Sequence, residues 1–108
     1  MSKSYSKMKL MSDYQCWCIW DMVDPNNVNP DTLPISNELK RALHNWESAF
    51  DATLDLIDHT NIGFLSEQQY NDFYNLGWEL FSRLQSELPE YEWWYRDRRY
   101  PAILDRRP

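Results

Sequence analysis

Residues 66–95 read S-E-Q-Q-Y-N-D-F-Y-N-L-G-W-E-L-F-S-R-L-Q-S-E-L-P-E-Y-E-W-W-Y, and the hydrophobic period changes once within them. Up to Leu88 the positions Tyr70, Phe73, Gly77, Leu80, Phe81, Leu84 and Leu88 form one stripe of an α-helix. Ser66 offers an N-cap oxygen, Gln69 occupies the capping-box position, and Leu65 is placed to pack on Tyr70 as a hydrophobic staple. Pro89 ends the pattern, because proline disfavours helical backbone in the residue before it. Beyond it Tyr91, Trp93 and Tyr95 alternate with Glu92, Trp94 and Arg96, the period of a strand. Gly77 stands inside the helix, where glycine costs about 1 kcal/mol relative to alanine. The expected reason is close approach of a second helix through Ala42 or Ala49.

That second helix lies upstream. Ser36 is a plausible N-cap, and Leu39, Leu43, Trp46, Phe50, Leu54 and Ile57 follow at helical spacing. D-H-T-N-I-G at 58–63 then makes a turn in which Gly63 can take a positive φ. Tyr14 to Trp20, rich in aromatic and strand-favouring residues, predicts a short strand. Met22 to Ile35 carries Pro25, Pro30 and Pro34 among Asn and Asp, which predicts a long irregular loop. The expected fold is α+β in the order strand, helix, helix, strand. An antiparallel helical hairpin packs on a two-stranded sheet in one domain spanning residues 1–108. A flexible basic start (residues 1–12) and an irregular basic tail (residues 101–108) frame it, with Ile103 and Leu104 as anchors in the tail.

The chain has 108 residues, enough for one core without disulfide or metal support. Its net charge is −6, and the charge is segregated. Between Met11 and Glu90 fourteen acids face only Lys40, Arg41 and Arg83, while Lys3, Lys7 and Lys9 precede them and five Arg follow. An acidic body repels nucleic acid and anionic lipid and attracts basic proteins. Six Trp, seven Tyr and four Phe exceed what so small a domain is expected to hide, and such residues dominate interfaces. No run of 18 apolar residues spans a membrane, and the polar start lacks the apolar segment of a secretory signal. Cys16 and Cys18 form no disulfide framework, so a cytoplasmic protein is expected.

Several motifs fall short of their templates. Asp58 to Gln69 imitates a calcium loop, but Ile62 and Gln69 stand where oxygen ligands and a bidentate Glu are needed. Cys16, Cys18, His44 and His59 lack the paired spacing of a zinc site and are a weak nucleophile–base set. No cofactor and no metal is expected. Glu47, Asp51, Asp55 and Asp58 recur along one side of the first helix, which is either a solvated face or a docking surface for a cationic partner. Asp72 and Glu79 on the second helix, and Asp21, Asp24 and Asp31 around the long loop, would extend it. Trp78, off the apolar stripe, is the expected exposed aromatic anchor. In E-Y-E-W-W-Y-R-D-R-R-Y at 90–100, Arg and aromatics either stack on bases, form an interface, or knit the C-terminus down through cation–π and Arg–Asp pairs.

W-C-I-W-D at 17–21, L-P-I-S at 33–36 and L-x₆-W from Leu39 to Trp46 belong to one larger pattern. G-F-L-S-E at 63–67, F-Y-N-L-G-W-E-L at 73–80 and L-P-E-Y at 88–91 complete it. Together they resemble small bacterial immunity proteins of contact-dependent growth inhibition and related polymorphic toxin systems. The resemblance runs from about Tyr14 to Tyr95 and carries over no binding residue. It implies a non-catalytic protein that occupies its toxin's active site or an adjacent surface. Many such toxins are nucleases, whose positive clefts suit an acidic inhibitor. The expected partner is therefore a basic toxin domain rather than nucleic acid or membrane. The rival readings are an acidic nucleic-acid mimic or adaptor acting on another complex, and a metal-dependent hydrolase using paired carboxylates.

Overall fold

The computed structural model describes residues 6–53, 64 and 66–108. The chain there runs β1 (Lys7–Leu10), β2 (Ile19–Asp21), β3 (Asn26–Val28), a 3₁₀ turn (Pro30–Thr32), α1 (Asn37–Asp51), α2 (Glu67–Glu87) and β4 (Glu92–Tyr95). The α+β class and the two helices agree with the sequence reading, but the sheet has four strands in the order β3-β2-β1-β4. β1 is antiparallel to β2 and parallel to β4, so the sheet is mixed. The helices fill the long crossover that a parallel pair requires.

The basic start expected to be flexible through residue 12 supplies an inner strand. K-M-K-L alternates, so Met8 and Leu10 enter the core opposite Trp93 and Tyr95. Lys7 and Lys9 stay on the more solvated side. Backbone bonds lengthen the pairing at both ends, from Glu92 N–H to the Ser6 carbonyl (2.8 Å) and from Arg96 N–H to that of Leu10 (2.9 Å). The strand expected at Tyr14–Trp20 begins only at Ile19, because Tyr14 to Cys16 is a turn with Gln15 at φ 58°. The loop expected from Met22 to Ile35 holds β3 and the 3₁₀ turn. Asp21 accepts the N–H groups of Val23 and Asp24 (2.9 and 3.1 Å) and folds the chain into a hairpin.

Both predicted caps form. Ser36 accepts the Leu39 N–H and Ser66 that of Gln69, each at 3.1 Å. The Leu65–Tyr70 staple, the Gly63 turn and the continuation of the first helix to Ile57 fall on positions outside the described residues. Glu87, at the end of α2, accepts both the N–H (2.6 Å) and the hydroxyl (2.9 Å) of Ser36, tying the last turn of one helix to the cap of the other. The Ser36 N–H is also the main cause holding the Glu87 carboxyl below its ordinary pKa.

Tyr95 joins the layers. Its hydroxyl donates to the Tyr74 carbonyl (2.9 Å), and its ring meets Trp78 edge-on at 4.7 Å. Trp46 stacks on Phe73 at 4.5 Å and donates to the Phe73 carbonyl (2.9 Å). Gly77 therefore marks the close approach of Tyr95 and Trp46 to α2, rather than of Ala42 or Ala49. A Cβ there would overlap the Tyr95 hydroxyl and Cζ and lie 2.9 Å from Trp46 Cζ2. Beyond β4 the tail turns back, and Leu104 exchanges two backbone hydrogen bonds with Tyr95 (2.8 and 2.9 Å). Gly77→Ala should destabilise the fold by about 1–3 kcal/mol despite alanine's better helix propensity. Thermal unfolding checks this: an unchanged or raised midpoint would mean that the Tyr95 ring is free to move aside.

Candidate functional site

Of the seven residues singled out from sequence, Asp55 and Asp58 lie outside the described residues. The other five do not form one face. Glu47 is only 9% exposed, and its carboxylate accepts the Cys18 N–H (2.9 Å) and hydrogen-bonds His44 Nδ1 (2.8 Å). It fastens α1 to the start of β2 and is not a free docking charge. Helical spacing could not reveal this, because the partner is a backbone amide 29 residues away. Asp51, one turn on, is half-buried and takes the N–H of Gln15 at 2.7 Å. That bond holds the positive-φ residue of the turn before β2. The second Asp51 oxygen has no partner among the described residues.

Trp78 is buried (3% exposed) and donates to Asp97 at 2.8 Å, so it is no exposed anchor. α2 is covered by α1 on one side and by β4 and its following turn on another, which widens its buried arc beyond the single stripe. Asp72 and Glu79 are exposed on α2 and flank Leu76, itself 44% exposed. Among the described residues neither makes an ion pair.

His44 and Asp31 complete the acidic side of α1, and Trp17, which the sequence did not single out as a site residue, lies beside it. His44 bridges Glu47 and Asp31, with its Nε2 3.0 Å from Asp31. Trp17 is 42% exposed and sits beside Asn27, whose side chain accepts its N–H (3.0 Å). The strand reading from Tyr14 assigned Trp17 no exposure, and only the turn at Tyr14 to Cys16 and the Asn27 contacts place it at the surface. Burial raises the pKa of both Cys16 and Cys18, followed by Asp13 at the first and Glu47 at the second, so both thiols stay protonated. Among the described residues no group of three or more His, Cys, Asp or Glu is arranged to hold a metal, and no helix is long and apolar enough to cross a membrane.

The C-terminal arginines serve the tail itself. Asp97, fully buried, binds Arg99 at 2.7 Å. Burial would raise its pKa, but the hydrogen bonds from Arg99, and then from Trp78, outweigh that and lower it. Arg98 donates to the Ser12 carbonyl (2.7 Å), Arg107 to Asn75 (3.0 Å) and Arg106 to its neighbour Asp105 (3.2 Å). The Arg–Asp and cation–aromatic contacts thus knit the C-terminus down, with Arg99 5.8 Å from the Tyr74 ring.

Burial would lower the His44 pKa, but hydrogen bonds to Glu47 and Asp31 outweigh it and hold it above the ordinary imidazole value. A raised folded-state pKa makes the clamp's contribution complete below the unfolded value, and it is lost as pH rises through the folded one. His44→Ala should therefore lower the melting temperature more at about pH 6 than at about pH 8.5. Equal losses at both pH values would show that the clamp works as a neutral hydrogen bond.

No curated protein matches the chain. A family model described as Serratia CdiI immunity protein-like matches residues 6–98, a span that takes in all four strands and both helices. The segments from W-C-I-W-D through L-P-E-Y that carry the sequence likeness lie within that match: this chain belongs to the Serratia CdiI immunity protein-like family, proteins of contact-dependent growth inhibition.

Proposed function

We propose that the protein neutralises a cationic toxin domain, a nuclease, by docking against it one to one in the producing cell's cytoplasm, and that it catalyses nothing itself. Family membership supports toxin neutralisation. The observation that carries the electrostatic part is where the C-terminal guanidinium groups go: to Asp97, Asp105, side-chain amides and backbone carbonyls. None forms an ion pair with Asp51, Asp72 or Glu79. Arg106 and Arg107 do share a pocket with Glu79 and offset part of its field, whereas no Lys or Arg lines the pockets that hold Asp51 and Asp72. A nuclease cleft evolved for a polyanion presents Lys and Arg, and opposite fields speed encounter while buried contacts set the lifetime. Both properties matter to a cell for which free toxin is lethal. Asp51, Asp72 and Glu79 supply the field on this reading, Asp55 and Asp58 extend it, and Glu47 acts only by holding the α1 surface in shape.

Co-expression with the toxin fragment from the same locus tests the neutralising role through growth rescue. Asp72→Lys combined with Glu79→Lys should slow association with that fragment about 10-fold at low salt, with a smaller effect at high salt and little change in dissociation. Both side chains are exposed, so the melting temperature should hold. An unchanged association rate would remove the electrostatic part, and failure of the wild-type chain to rescue growth would remove the neutralising role.

A further inference from the structure

Five of the six indole N–H groups have an acceptor within the chain. Trp20 donates to the Met11 carbonyl (3.0 Å), Trp46 to that of Phe73 (2.9 Å) and Trp93 to that of Leu88 (3.0 Å). Trp78 and Trp94 donate to the carboxylates of Asp97 and Glu92 (2.8 and 2.7 Å). Trp17 has none among the described residues, and at 42% it is the most exposed large aromatic there. Its backbone, by contrast, is fixed: Asn27 accepts its N–H at 3.0 Å and donates to its carbonyl at 2.8 Å. An indole on an anchored backbone loses less freedom on binding, and an apolar body with a spare donor is what interface anchors share.

Beside the indole lies a cavity of about 390 Å³, with Asn27, Ser48 and Asp51 among its walls. No Lys or Arg lines it, and Glu47 adds negative charge. Asp51 spends one oxygen on Gln15 and has the other without a partner among the described residues. An aromatic face, an available carboxylate oxygen and a negative potential together complement a guanidinium group. Such a group stacks on indole and donates in its own plane to a carboxylate, whereas a lysine ammonium has no plane to stack. We propose that the pocket between Trp17 and Asp51 receives one arginine side chain of the toxin. The assignment rests on the docking function proposed above and names the contact that sets the lifetime of the complex.

Trp17→Ala should raise the dissociation rate of the complex with the toxin fragment about 10-fold, with association and melting temperature nearly unchanged, and Trp17→Phe should restore part of the loss. Ser48→Arg, at an exposed position in the pocket wall, should weaken binding similarly by placing a guanidinium there from within. An arginine-to-alanine scan of the toxin fragment then identifies the guest. One such change should speed dissociation from the wild type about 10-fold and leave Trp17→Ala nearly unaffected. If Trp17→Ala and Ser48→Arg dissociate like the wild type while the wild type still neutralises, the pocket assignment is wrong and the docking function stands. If both weaken binding but no arginine couples to Trp17, the arginine assignment is wrong. If the wild-type chain does not bind at all, the docking function itself falls.

Discussion

Tyr95 sits where the sheet and both helices meet. Its ring approaches α2 where Gly77 leaves no side chain, with Trp46 of α1 on the same spot and Trp78 edge-on beside it. Its hydroxyl is satisfied by the Tyr74 carbonyl, as a buried phenol requires. Because β4 is parallel to β1, seating Tyr95 also sets where Leu10 and Met8 enter the core, through the pairs Leu10↔Tyr95 and Met8↔Trp93. The two backbone bonds from Leu104 then return the tail to the same residue. A glycine that lowers the intrinsic stability of α2 is thus what allows the layers to approach, and the aromatic content becomes mostly core.

The charges divide into those the fold consumes and those it leaves. Glu47, Asp97 and Glu87 are bound by amides, an imidazole, an indole and guanidinium groups, and each fastens elements distant in sequence or closes a terminus. Burying a carboxylate is tolerated only with that degree of satisfaction. The C-terminal arginines are consumed in the same way, by the buried Asp97, by the exposed Asp105 and by neutral acceptors. The consequence is an excess of exposed carboxylates that the chain does not neutralise, which suits a partner with a positive surface. Membership of an immunity protein family gives that excess a use.

The side of α1 that faces β2 and β3 shows how a scaffold and a binding surface share residues. Glu47 and Asp51 each hold a backbone N–H of the segment before β2, and that segment presents Trp17. His44 ties Asp31, within the 3₁₀ turn, to Glu47. The acidic stripe is therefore partly architecture. Only its exposed margin, with the indole beside it, is available to another molecule.

Residue spacing and composition determined the α+β class, both helices with their serine caps, the two-faced alternation of β4 and the sign of the molecule's charge. Each follows from contacts within a few residues or from composition, and neither depends on what lies opposite in space. Tertiary structure decided the rest. K-M-K-L became an inner strand because two neighbours, one more than eighty residues away, pair with it. N-N-V became a strand because Asp21 turns the chain there. Trp78 went inward because a second layer and the tail cover α2, and Trp17 stayed out because it lies in the irregular segment between the turn at Gln15 and β2. Periodicity reports one face of an isolated element, whereas burial is set by every surface that packs against it.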